Sequence, residues 1–258
     1  MPFDPKAAAQ FIAEAHRSRA AYQNLPEAIA PSTVDEAYAA QEALRDLWTP
    51  LYGKLAGLKI ATTTKVMQQL MGIDHPCGGM IYEKRVHASP ASVKRSDYMN
   101  VVIECELAVR MAKTLPKQAS PYTREEVRAA IGSVMPAFEL IEDRKAVYKE
   151  CKAYTLIADN AWNGGIVLGA PVTVPADKAV NGLKGRLDTG KEMREGLTDD
   201  PMGALAWLAN LAAGRNRPLE AGMVVITGSL IPTLPIEPGQ RFVFEIEGLG
   251  KVEMTATA

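Results

Sequence analysis

The stretch VVIECELAVRM, residues 101–111, decides how the chain is read. It has the β-branched and aliphatic texture of a strand, yet carries two glutamates. Side chains on a strand alternate faces, so Glu104 and Glu106 point the same way, roughly 7 Å apart along the strand. They share that face with Val102 and Ala108, while Ile103, Cys105, Leu107 and Val109 face a core. Like charges at this spacing destabilise each other unless water, a proton or a cation intervenes. A solvated strand face and a cation site both satisfy that condition.

A second strand of the same kind follows, MPAFELIEDR at 135–144. With a period of two, Glu139 shares a face with Ala137 and Ile141 and is an isolated acid in an apolar strand. Charged side chains are rarely buried unless paired or bound to a cation. Three carboxylates on neighbouring strands suit a hard divalent ion with oxygen ligands. Three protein oxygens on an octahedral magnesium ion would leave three positions for water or a chelating substrate. Lys59, in the apolar strand GLKI, has two readings. It is an edge-strand lysine that blocks aggregation, or a cation lining the acidic site.

The whole chain sets the limits. It has 258 residues, 47% of them hydrophobic and 23% charged, which is ordinary globular composition. A net charge of −1 gives no electrostatic footprint for nucleic acid or for an anionic membrane. No stretch approaches 18 uninterrupted apolar residues. The start MPFDPKAAAQF lacks a basic region followed by an apolar run, so no signal peptide is expected. Cys77, Cys105 and Cys151 are odd in number and lack CxxC spacing, which fits a reducing cytoplasm better than a disulfide or zinc framework.

Around the acidic strands the pattern predicts helices over 4–22, capped by Asp4 before Pro5, and over 32–49, with Ser32, Asp35 and Glu36 resembling a capping box. GLKIATTT (57–64) reads as a strand and a threonine-rich turn, KVMQQLM (65–71) as a short helix, and GIDHPCGG (72–79) as a loop. Further strands are expected at 165–169, 222–228 and 241–247, and helices at 124–132 and 200–214. The order is not a regular βαβα repeat, so an α+β fold with mixed, largely antiparallel sheet and peripheral helices is expected.

Taken in order, GLKIATTTKVMQQLMGIDHP, the ECE triplet, MPAFELIEDR, IADNAWNGGIVLG and VVITGSLIPTLPIEPGQRFVFEIEGLG resemble the fumarylacetoacetate hydrolase superfamily. Within it they are most similar to the branch of 2-oxopent-4-enoate hydratases and 4-oxalocrotonate decarboxylases. The resemblance implies a mixed β-roll with outer helices (76–258), preceded by an N-terminal helical segment packed on the catalytic part (1–75). It implies Glu104, Glu106 and Glu139 as ligands for Mg²⁺ or Mn²⁺ and Lys59 as the active-site lysine. Thr227 and Ser229, in the TGS segment, would help bind a substrate carboxylate, and Asp159 and Asn160 would stand near the site. Arg144, beside the third acid strand, either binds a distal carboxylate or pairs with Asp143. Two departures stand out. Cys77 occupies a place where many hydratases carry an acid, which leaves Asp74 or His75 as its substitute. Trp162 stands where a small residue is common, and would narrow the pocket or pack on a helix.

The implied substrate is a small 2-oxoacid or 2-hydroxydienoic acid, processed through a metal-stabilised enolate. A hydratase is the main expectation, followed by a decarboxylase, a C–C hydrolase, and an inactive partner subunit. Hydrolysis is disfavoured by the histidines: His16 lies on the first helix and His87 in a polar stretch. The family also implies a homo-oligomer, with association between related hydratases and decarboxylases as an extension.

Overall fold

The structure is a computed structural model describing residues 2–175 and 178–258. In chain order its elements are α1 (Pro5–Arg17), α2 (Val34–Tyr52), β1 (Leu55–Ala61), α3 (Lys65–Met71), β2 (Cys77–Tyr82), β3 (Val86–Ala88), β4 (Ala91–Lys94), β5 (Val102–Met111), α4 (Arg124–Arg128), β6 (Ile131–Ile141), α5 (Ala153–Ala158), β7 (Asn163–Leu168), β8 (Lys184–Asp188), β9 (Met193–Leu197), α6 (Pro201–Gly214), β10 (Val224–Pro235), β11 (Arg241–Ile246) and β12 (Gly250–Thr257). One sheet has the strand order β2-β1-β10-β5-β6-β7-β3, and the other β4-β12-β11-β8-β9. Most pairings are antiparallel; β1 with β10, β3 with β7 and β4 with β12 are parallel. The expected α+β class with mixed sheets and peripheral helices is what the chain adopts.

The alternation read from the acidic strands sets the layering. Ile103, Cys105, Leu107 and Val109 join Phe138, Phe242 and Phe244 in the largest apolar cluster, which includes strands of both sheets. On the opposite face, Ala108, Met135, Ala137, Ile166 and Ile226 form a second cluster. Glu106 and Glu139 share that face and are fully buried, so the acids are enclosed and not solvated.

Helix ends follow local chemistry. The Asp4 carboxylate accepts from the backbone N–H groups of Lys6 and Ala7, with Pro5 opening α1. At α2 the cap falls one residue later than expected. Thr33 accepts from Glu36 N, while the Glu36 carboxylate reaches back to Ser32. α1 ends five residues short of the predicted helix, because the chain turns so that Tyr22 N can donate to Arg144 O.

The GIDHPCGG loop is the main difference from expectation. Its last three residues open β2, which is buried along its whole length. Gly78 and Gly79 serve close packing there. A Cβ on Gly79 would stand 2.7 Å from Asn160 O and 2.9 Å from Lys59 Cγ. The segment 1–75 also supplies β1, which lies between β2 and β10, so the first 75 residues and the rest share one sheet. Among the described residues no helix is long and apolar enough to cross a membrane.

Gly79→Ala should therefore cost about 1–3 kcal/mol through overpacking. The expected observation is a lower denaturant midpoint at unchanged m-value, and an unchanged midpoint would contradict the packing at this strand.

Candidate active site

Glu104 pairs directly across from Glu139 in the β5–β6 ladder, and Glu106 pairs across from Ser229 in the β10–β5 ladder. One carboxylate oxygen from each of the three glutamates lies within 4.8 Å of the others. Lys59 reaches the same point from β1. Its Nζ is 2.9 Å from Glu139 Oε1 and donates to Ala161 O at 3.1 Å. In a flat sheet β1 and β6 would be three strand spacings apart, roughly 14 Å. The lysine–glutamate contact therefore depends on the sheet curling around the site.

Each acid is held by a particular donor. Thr233 Oγ1 donates to Glu104 Oε1 at 2.6 Å, and Gly228 N donates to Glu106 Oε2 at 2.6 Å. Asn163 Nδ2 donates to Glu139 Oε1 at 2.8 Å. Two oxygens are left over: Glu106 Oε1 and Glu139 Oε2 are buried and have no hydrogen-bond partner among the described residues. Burial pushes the Glu106 carboxyl well above its ordinary pKa, and the charges of Glu139 and Glu104 push it further. Burial raises Glu139 too, against the opposing pull of Lys59. At Lys59 burial acts to lower the pKa, but Glu139, Glu104 and Glu106 outweigh it and the ammonium form is favoured. An all-oxygen set with buried, unpartnered acceptors matches the needs of a hard divalent cation. These three residues fit such an ion.

The wall beside Lys59 is strained. Asn160, Ala161 and Trp162 have φ of 53°, 46° and 58°, consecutive left-handed conformations without a glycine. The surroundings fix them. Asn160 Oδ1 accepts from Met80 N at 2.6 Å, and its Nδ2 donates to Met80 O at 2.9 Å. Asp159, just before the turn, is buried between His16 Nε2, 2.7 Å away, and the Arg144 guanidinium. The turn aims Ala161 O at Lys59 and brings Trp162 to the edge of a cavity of about 480 Å³.

That cavity is lined by Lys59, Glu104, Trp162 and Ser229, among others. The remaining residues singled out in the sequence lie elsewhere. Thr227 Oγ1 donates to Leu107 O, and the residue lines a neighbouring cavity. Asp159, Asn160 and Arg144 are buried and absent from the cavity lining; Arg144 pairs with Asp159, and Asn160 bonds to Met80. Arg144 pairs with Asp159 instead of Asp143, whose carboxylate accepts from Asn100, Lys145 N and Tyr148. Asp74 is exposed, and His75 stacks on Trp207 with ring centroids 6.5 Å apart; neither lines the 480 Å³ cavity. The sequence reading missed Asn163, Thr233 and Gly228. Asn163 borders the DNAW motif and was within reach of it, whereas a threonine in LIPTL and a backbone N–H carry no sequence signal.

Residues 74–257 match the family model described as Fumarylacetoacetate (FAA) hydrolase C-terminal. The chain belongs to the fumarylacetoacetate hydrolase family. It is 31% identical over 255 residues to the 2-hydroxyhexa-2,4-dienoate hydratase of Comamonas testosteroni, covering 96% of each chain. It is 28% identical over 253 residues to 2-keto-4-pentenoate hydratase 2 of Dechloromonas aromatica (strain RCB), covering 96% of this chain and 95% of that one. In fold it is similar to the 4-oxalocrotonate decarboxylase from Pseudomonas putida G7 solved with magnesium and adipate. The TM-score is 0.88 at 24% identity, over 98% of this chain and 97% of that one.

The Asp159 ion pairs have a pH signature. Burial disfavours the His16 imidazolium, but the Asp159 carboxylate, aided by Glu142, raises its pKa from 6.5 to about 9. A pKa raised on folding gives stability that is full below about 6.5 and is lost as pH rises through about 9. His16→Gln should therefore be less stable than the parent protein by up to about 3 kcal/mol at pH 6. The gap should close above pH 9, as followed by denaturant titration; a gap independent of pH would contradict the charged pair.

Proposed function

We propose that this protein is a divalent-metal-dependent hydro-lyase of the 2-oxopent-4-enoate hydratase type, acting on a small 2-oxo or 2-hydroxydienoic acid. The observation carrying the reading is the convergence of three carboxylates and one lysine, of which Lys59 and Glu104 line the cavity, with two buried acceptor oxygens unpartnered. The hydratase names of the relatives support it. The magnesium bound by the similar decarboxylase points the same way for the metal. Mg²⁺ or Mn²⁺ and a homo-oligomeric assembly belong to this reading and rest on the family resemblance, and a cytoplasmic setting rests on the cysteine pattern.

Glu104, Glu106 and Glu139 would hold the cation. When bound, it supplies a Lewis acid that polarises the substrate's 2-oxo group and stabilises negative charge developing there. The chain's own residues do the rest. An ammonium group has three donors, and Lys59 commits two of them, to Glu139 and to Ala161 O. The third is available to the oxygen on which charge develops, in a site largely walled from water. Lys59 is also a proton carrier on the cavity lining, in contact with Glu139. It is assigned to the tautomerisation, in which the 2-hydroxyl loses a proton and C5 gains one as the dienol becomes the enone. Conjugate addition then places the water oxygen on C4 and its proton on C3. Ser229 has its hydroxyl 2.6 Å from Ile231 O, so it shapes the wall and leaves chelation to the acids. No histidine is among the cavity-lining residues described, which takes support from a hydrolytic reading.

Glu106→Gln tests this. In the metal-free protein the substitution removes a charge from a crowded, buried cluster, so its melting temperature should equal or exceed that of the parent. The parent should gain about 2.7 kcal/mol of stability at a metal concentration a hundredfold above Kd. The variant should lose that gain together with turnover of 2-hydroxypenta-2,4-dienoate. Full metal stabilisation and unchanged turnover in the variant would sink the assignment.

A further inference from the structure

Much of the cavity lining away from the acids is apolar: Val66, Met67, Met71, Ile141, Leu156 and Trp162 contribute to it, beside Tyr148, whose hydroxyl donates to Asp143. All but the exposed Val66 belong to a single apolar cluster. Lys59 is the only Lys, Arg or His among the described lining residues, and it is engaged at the acid end by Glu139 and Ala161 O. Arg144 is buried, paired with Asp159 and absent from the described lining.

A long substrate has one other direction open to it. A cavity of about 350 Å³ shares Ile60, Thr63, Thr64, Gly228, Ser229 and Leu230 with the first. Its only described cation is Arg124, which is ion-paired with Asp200, and Asp199 adds a further negative charge to its lining. A second carboxylate would thus leave water without meeting a free cation in either direction, which is unfavourable. An alkyl tail would bury apolar surface against the Val66–Trp162 side instead. The volume also exceeds the needs of a five-carbon acid, since cavities of about 300–1,000 Å³ accept drug-sized ligands.

We propose that this site selects monocarboxylic 2-oxo acids whose tail beyond C4 is uncharged and apolar, and discriminates against those ending in a second carboxylate. The proposal rests on the metal–enolate reading above. It sets this chain apart from enzymes that must accept dicarboxylic substrates, decarboxylases of oxalocrotonate type included.

Binding of unreactive acids separates the proposal from its foundation. Calorimetric titration of the full chain in Mg²⁺ should use three probes: oxalate, 2-oxohexanoate and 2-oxoadipate. The two oxo acids share a six-carbon backbone and differ in whether the far end is a methyl or a carboxylate. Metal-dependent oxalate binding is expected, with 2-oxohexanoate bound roughly tenfold or more tightly than 2-oxoadipate. Val66→Arg, at the exposed edge of the apolar side, should narrow that ratio at least about threefold by supplying a cation. If oxalate binds and 2-oxoadipate matches or exceeds 2-oxohexanoate, the selectivity proposal falls while the metal reading stands. If none of the three shows metal-dependent binding, the metal reading falls and takes the selectivity with it.

Discussion

The candidate site is defined by the confinement of three carboxylates beside one ammonium group. Glu104, Glu106 and Glu139 are brought together by strand pairing, and among the described residues Lys59 is the only positive charge in direct contact with the group, at Glu139. One cation cannot neutralise three acids in a low-dielectric setting, and the raised pKa of Glu106 and Glu139 expresses the imbalance. On the function proposed above, a divalent ion would remove it, so that the site would cost stability when empty and regain it when loaded.

Much of the surrounding architecture makes that confinement possible. Gly79 leaves room for the Lys59 stem to pass β2. The left-handed Asn160–Trp162 turn supplies a carbonyl for the ammonium, at a cost on the order of 1–3 kcal/mol per strained residue. The compensation comes from a distance. His16 on α1 and Arg144 after β6 converge on Asp159, and Asn160 locks onto β2 through Met80. The N-terminal helices are thus tied to the site through ion pairs, not only through apolar packing.

Sequence patterning made the centre of this arrangement legible. An acid in an apolar strand is rare enough to be informative, and the period of two fixed which acids share a face. Lys59 was legible for the same reason. What escaped was information carried by backbone and by contact. GIDHPCGG reads as a loop because glycine usually marks a turn, whereas Gly78 and Gly79 are there for close packing in a buried strand. Asp159, Asn160 and Arg144 are polar residues beside the site in sequence, yet Asp159 and Arg144 pair with each other and Asn160 bonds to Met80 instead of lining the cavity. β12 alternates buried and partly exposed residues and was available to a period-two reading, while β9 is exposed or partly exposed along its length and offered no such signal.

The most direct measurement is a crystal structure of the protein soaked with Mn²⁺, with the metal located by its anomalous scattering. One site is expected, with an oxygen of Glu104, Glu106 and Glu139 each about 2.0–2.2 Å from it, the range for small hard divalent ions. Manganese bound elsewhere, with the three carboxylates turned apart toward solvent, would contradict the account.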